Sequence, residues 1–138
     1  MPASAFLKRR SKFSLSAVTC ILFASGAATL AQADWRNSTL SRVESELRQQ
    51  SLKLAKLNEP WAQKVKSRAD FAIYKISNAL MSASPAAEFT HMEHACQALI
   101  DERTLLIPAQ SEDSHNAQLI DQLIEQTFEH REALGCRE

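Results

Sequence analysis

After residue 33 the chain contains a single glycine, Gly135, and three prolines, Pro60, Pro85 and Pro108. Almost every β-hairpin turn, phosphate loop and tight reversal needs glycine for a backbone region that other residues avoid. A chain of this length with one glycine near its end therefore reads as helices joined by short polar links. The prolines fall 25 and 23 residues apart. They divide the region into four pieces, each long enough for a helix of five to seven turns at ~3.6 residues per turn.

Apolar periodicity within the pieces agrees. Leu40, Val43, Leu47, Leu54 and Leu57 recur at alternating intervals of three and four, and Gln50 fills the missing place. That is a heptad seam. Trp61, Val65, Ala69, Ala72, Ile76 and Leu80 form a stripe after Pro60. Ser84 followed by Pro85 reads as an N-cap and a first helical turn. Pro108 to Asn116 reads as a polar loop, and Gly135 stands where a last helix stops. The spacing predicts helices over 37–57, 60–82, 85–106 and 116–134 in a single domain, 34–138. Short connections make neighbours antiparallel, so the predicted fold is all-α, an up-down-up-down four-helix bundle. One long kinked helix through Pro60 is the alternative, because the heptad phase of Leu57 continues into Trp61.

The first 33 residues carry a different signal. Lys8, Arg9, Arg10 and Lys12 precede an uncharged apolar run from Ser14 to Leu30, and Ala31-Gln32-Ala33 supplies a small-x-small pattern. This reads as an export signal cleaved before Asp34, which predicts a periplasmic or secreted protein. No later apolar run is long enough for a membrane span. Cys20 lies within the signal, which leaves Cys96 and Cys136. An oxidising compartment predicts that they form a disulfide.

The whole chain has 16 basic and 16 acidic residues, and four of the bases lie in the predicted signal. The remainder is 12 against 16, net −4, which argues against a nucleic-acid partner. The charge is divided by position: nine bases and five acids from Asp34 to Lys75, three bases and eleven acids from Ile76 to Glu138. Two helical hairpins of opposite sign can neutralise one another. Alternatively the acidic half receives a basic partner, or two copies pair head to tail as a homodimer.

Candidate chemistry concentrates between Glu88 and Cys96. At 100° per residue, Phe89, Met92, Cys96, Leu99, Ile100 and Arg103 share one side of the third helix. His91 and His94 fall opposite, with Ala98, Asp101 and Glu102. Two histidines three apart, with Glu88 one turn back, are a possible shell for zinc or copper. His130 lies on the apolar side of the fourth helix, near the Glu88 end of the bundle, and completes the candidate metal set Glu88, His91, His94 and His130. The disulfide poses a geometric difficulty. With the third helix ending near residue 106, Cys96 and Cys136 miss each other by ~15 Å, far more than a disulfide spans.

The sequence contains no nucleophile motif, dinucleotide fingerprint, zinc-protease helix or haem-attachment motif. The function expected is therefore non-catalytic: an exported helical protein, without a required cofactor, that binds a protein partner as inhibitor, immunity factor, adaptor or chaperone-like module. A metal-binding or metal-sensing bundle is the alternative.

Overall fold

A computed structural model describes residues 35–137. The predicted signal, residues 1–33, lies outside the described residues. Helix α1 occupies 35–55, α2 Pro60–Met81, α3 Pro85–Glu112 and α4 Ala117–Leu134, with a 3₁₀ turn at Ser114–Asn116 before α4. The described residues contain no strand.

The core gives the topology. One apolar cluster joins Leu40, Val43 and Leu47 of α1 to Ala72, Ile73 and Ile76 of α2 and to Ala95 and Leu99 of α3, with Leu134 of α4 against it. A second joins Leu54 to Ala62 and Val65, to Leu106 and Ala109, and to Ile120 and Leu123. Early residues of α1 thus meet late residues of α2, early residues of α3 and late residues of α4. This is the up-down-up-down bundle. Between α1 and α2 the chain reverses at Leu57 to Glu59, and Gln63 Nε2 donates to the Leu57 carbonyl at 2.9 Å. The single kinked helix is not formed.

Each helix has a seam of threes and fours, and alanine occupies much of it in α2 and α3. Ala62, Ala69, Ala72 and Ala79 on one and Ala95, Ala98 and Ala109 on the other are all buried. Small side chains let helix axes approach closely. This corrects the face assigned to α3. The buried side is Met92, Ala95, Ala98, Leu99, Glu102, Leu106 and Ala109, about a quarter turn from the stripe drawn through the large apolar residues. Phe89, expected inside, is 54% exposed, whereas Ala98 and Glu102, expected outside, are buried.

The end of α3 is also corrected. Pro108 does not stop the helix, which continues to Glu112. A proline inside a helix leaves the carbonyl four residues back without its donor. Here that residue is Thr104, and both Thr104 and Pro108 are exposed, while Leu106 and Ala109 stay in the core. Water can serve the freed carbonyl on that face. The true stop is Asp113. Its backbone N–H donates to the Ala109 carbonyl at 2.9 Å. Its side chain accepts from Trp61 Nε1 at 2.9 Å, from the Asn116 N–H at 3.2 Å and from Asn116 Nδ2 at 2.8 Å. One carboxylate therefore ends α3, shapes the turn into α4 and ties both to the first turn of α2.

The longer helix resolves the disulfide. Cys96 stands 16 residues before Glu112 and Cys136 stands 19 after Ala117, ~24 Å against ~28 Å at 1.5 Å per residue. Gly135, in the left-handed region at φ 71°, turns the chain back. The Cys136 N–H donates to the Arg131 carbonyl at 2.9 Å and the Gly135 N–H to the Glu132 carbonyl at 3.1 Å, the paired bonds of a Schellman stop. Cys96 and Cys136 are bonded within the chain, with Cα atoms 5.7 Å apart.

Candidate functional site

The four candidate metal ligands do not gather. Glu88 lies half-buried in the first turn of α3, His91 is half-buried with a buried, unpartnered Nδ1, and His94 is exposed. His130 is 2% exposed on α4, and its Nε2 lies 2.8 Å from Glu46 Oε2 of α1. Burial works to raise the Glu46 carboxyl, but the His130 hydrogen bond and charge, aided by Arg42, outweigh it and hold the group below its ordinary value. His130 thus clamps α4 to α1. Among the described residues, no three His, Cys, Asp or Glu side chains are placed to share a metal ion.

The polar group that the sequence reading missed is Glu102. It is 0% exposed, and neither carboxylate oxygen has a hydrogen-bond partner. It occupies the centre of the α3 seam, between Leu99 and Leu106. The same level of α1 holds Gln50 and Ser51, and that of α4 holds Thr127, all buried. This polar layer separates the two apolar clusters. Gln50 Nε2 donates to Gln126 Oε1 at 3.2 Å, leaving Gln50 Oε1 buried and unpartnered. Ser51 Oγ donates to Asp70 Oδ1 at 2.5 Å, and Thr127 Oγ1 to the Ile124 carbonyl at 2.6 Å. The hydroxyl donors of the layer are therefore spent elsewhere. Burial, and secondarily the nearby Asp70 charge, push the Glu102 carboxyl up to about 8. At neutral pH it is mostly the uncharged acid.

A signal for Glu102 was present. Positions 92, 95, 99, 102, 106 and 109 alternate by three and four as 40, 43, 47, 50, 54 and 57 do, and each seam has one polar member at its centre. Only the second was read that way, because α3 was oriented by its large residues and not by its alanines.

The outer surface offers a different kind of site. An open groove of ≈ 540 Å³ runs between α1 and α2, lined by Arg48, Ser51, Leu52, Asp70, Ile73 and Tyr74. Leu52 is 67% and Tyr74 59% exposed beside it, and Phe71 is partly exposed on the same helix. Lys75 Nζ sits 5.5 Å from the Phe71 ring centre and 5.7 Å from that of Tyr74, and the Arg68 guanidinium lies 6.0 Å over Phe71. Such cation–ring contacts keep the aromatic faces beside positive charge. Within the groove Asp70 accepts from Lys66 at 2.7 Å as well as from Ser51. Burial tends to raise this carboxyl, but those two bonds and the Lys66 and Arg48 charges hold it below its ordinary value. The arrangement suits recognition: apolar and aromatic groups for contact area, ringed by long cationic side chains.

Comparison of the chain with protein-family models, with curated proteins and with solved structures returns no match. The reading of the site rests on its own geometry.

Proposed function

We propose that this is an exported, non-catalytic helical protein that acts by binding another protein, and that the partner docks on the α1–α2 face. The single observation that carries the reading is the exposure of Leu52 and Tyr74 on an open groove, with Phe71 exposed on the same helix. Exposed apolar side chains grouped on a polar rim mark interaction surfaces more often than chance exposure does. Charge refines the choice of partner. From Asp34 to Lys75 the sequence has nine bases against five acids, so the surface favours a partner with an acidic, partly apolar face. The apolar groups of the groove thus direct attention to the basic hairpin, whereas the charge division alone had drawn it to the acidic one.

Export is supported by the basic and apolar N-terminal residues and by the disulfide, a bond that persists in oxidising compartments. The test is crosslinking of the native protein in the exported fraction at low salt, followed by mass spectrometry of the captured partner. The double variant Leu52→Asp with Tyr74→Asp is expected to keep its helical circular dichroism and melting temperature while binding falls at least tenfold. Unchanged binding in that variant rejects the α1–α2 face. Mature protein starting at Met1 in the cytosol rejects export.

A further inference from the structure

A carboxyl group without access to water and without a donor is held in the bundle only under particular protonation. Moving an ionised carboxylate out of water costs far more than moving the neutral acid, and nothing near Glu102 compensates the charge. From α1 the layer presents Gln50 and Ser51, which are uncharged; Arg48, one turn away, is paired with Glu44 at 2.7 Å. From α2 it meets Asp70, itself negative and bound to Lys66 and Ser51. Arg68 of that helix is directed to Asp101 of α3 at 3.9 Å. From α4 comes Thr127, and the next turn carries His130, bonded to Glu46, and Arg131, whose guanidinium donates to the Arg137 carbonyl at 2.7 Å. On α3 itself Arg103 lies over the Phe128 ring, at 4.7 Å. Lys53 of α1 is exposed and lines the α1–α4 cleft; the other cations named here have different partners, and the charge that acts on Glu102 is of its own sign.

The layer also lies between the two apolar clusters. On α1 and α3 large apolar side chains stop at Leu47 and Leu99 and resume at Leu54 and Leu106, while α2 places the small Ala69 at this level. A charge appearing at Glu102 is therefore relieved by parting the helices at this level, with both apolar clusters kept. A small cleft between α1 and α4, lined in part by Gln50, Gln126 and Glu46, opens at the same level with ≈ 70 Å³, room for more than one water molecule.

We propose that this layer is a proton-operated latch: the middle of the bundle is closed while Glu102 carries its proton and loosens when that proton leaves. The sign follows from linkage. Glu102 has an ordinary value of 4.5 and is raised in the folded protein to about 8, so between those pH values the unfolded chain has released a proton that the folded one retains. Stability is fully present below pH ~4.5 and is lost as pH rises toward 8. Asp70 links the latch to the α1–α2 groove, since it both lines that groove and acts on Glu102. An acidic partner group docking beside Asp70 adds negative charge near Glu102 and makes its ionisation harder, and by reciprocity the protonated, closed layer favours that partner.

The test compares the full exported chain with Glu102→Gln and Glu102→Leu. In urea unfolding, the wild type is expected to lose on the order of 10²–10³-fold in its folding equilibrium between pH 5 and pH 8 relative to either variant. A protonated-carboxyl infrared band should fade near pH 8 and be absent from both variants. Amide exchange, corrected for its intrinsic pH dependence, should accelerate first in 47–54, 99–106 and 123–127 of the wild type alone. Parallel pH profiles for wild type and variants overturn the proposal. So does a Glu102-dependent loss of stability in which exchange accelerates uniformly, because that is global linkage without a latch. If one variant fails to fold, the other and the infrared band still decide.

Discussion

His130 and Glu102 are the two buried ionisable side chains at seam positions, and they are handled in opposite ways. His130 meets a carboxylate 2.8 Å away that itself reaches solvent. The pair therefore avoids the full cost of burying two charges. Glu46 contributes an acid-side pH dependence to this contact. Because its folded value lies below its ordinary one, its contribution is present above pH ~4.5 and is lost as pH falls through the lower folded value. Most of what His130 contributes is packing and orientation, not charge. His130→Ala is expected to cost about 2–3 kcal/mol, the range for emptying a buried side chain and removing one helix-to-helix hydrogen bond. Glu46→Gln should cost under about 1 kcal/mol, since its carboxylate remains wet. Urea titration of both at pH 7 checks this, and equal losses would show that the ion pair, not the packing, holds α4 to α1. Of these residues, the sequence reading has His130 on the apolar side near the Glu88 end of the bundle, and the carboxylate it meets is Glu46. Wheel position showed its burial, but only the register between helices identifies Glu46, 84 residues away.

At the scale of the element, α1, α2 and α4 were legible because their leucines, isoleucines and valines, interspersed with alanine in α2, lie mainly on the buried side, and because Pro60 and Gly135 mark ends. Helix α3 was not. Its apolar residues are spread round the helix, with Phe89 and Ile107 exposed and Ala95, Ala98 and Ala109 inside. Hydrophobic size therefore pointed to the wrong side, and the face of Glu102 went with it. Its end was missed because proline is normally a stop. The proline penalty acts through one lost hydrogen bond and one clash, and tertiary packing of Leu106 and Ala109 together with the Asp113 cap outweighs it. This has a direct consequence. Pro108→Ala restores a donor on an exposed helical face, where alanine is up to ~3 kcal/mol better than proline. Greater freedom of the unfolded chain offsets part of that gain. The expected result is a net stabilisation of about 1–2 kcal/mol by thermal and urea denaturation. Had Pro108 stood in a loop, the same substitution would have been neutral or destabilising.

For the whole molecule, charge is divided along the chain, and among the described residues ion pairs form both between the two hairpins and within single helices. Arg68 and Asp101 are 3.9 Å apart and Glu46 meets His130, but Arg42, Arg48 and Lys66 pair with acids four residues away on their own helices. Exposed i,i+4 pairs add a few tenths of a kcal/mol each. The contacts that hold α4 to the rest thus include the divided apolar core, the His130 and Gln126 hydrogen bonds, Arg103 over Phe128 and the disulfide. The disulfide closes a 40-residue separation, which corresponds to about 4 kcal/mol of loop-closure entropy. A domain of this size has a total stability of roughly 5–15 kcal/mol, and the polar layer replaces large apolar side chains of its core at mid-height, where α2 contributes only Ala69. The joint substitution Cys96→Ser and Cys136→Ser should lower stability by about 4 kcal/mol and the melting temperature by roughly 15–30 °C. It should also raise the urea m-value, because the uncrosslinked chain exposes more surface when it unfolds. If the loss is under 1 kcal/mol with an unchanged m-value, the Schellman turn at Gly135 anchors the C-terminal end unaided. If instead the loss is near 4 kcal/mol, the bond compensates for the interrupted core. The fold can then keep a buried acid at its centre because the C-terminal end of α4 is tied to the middle of α3.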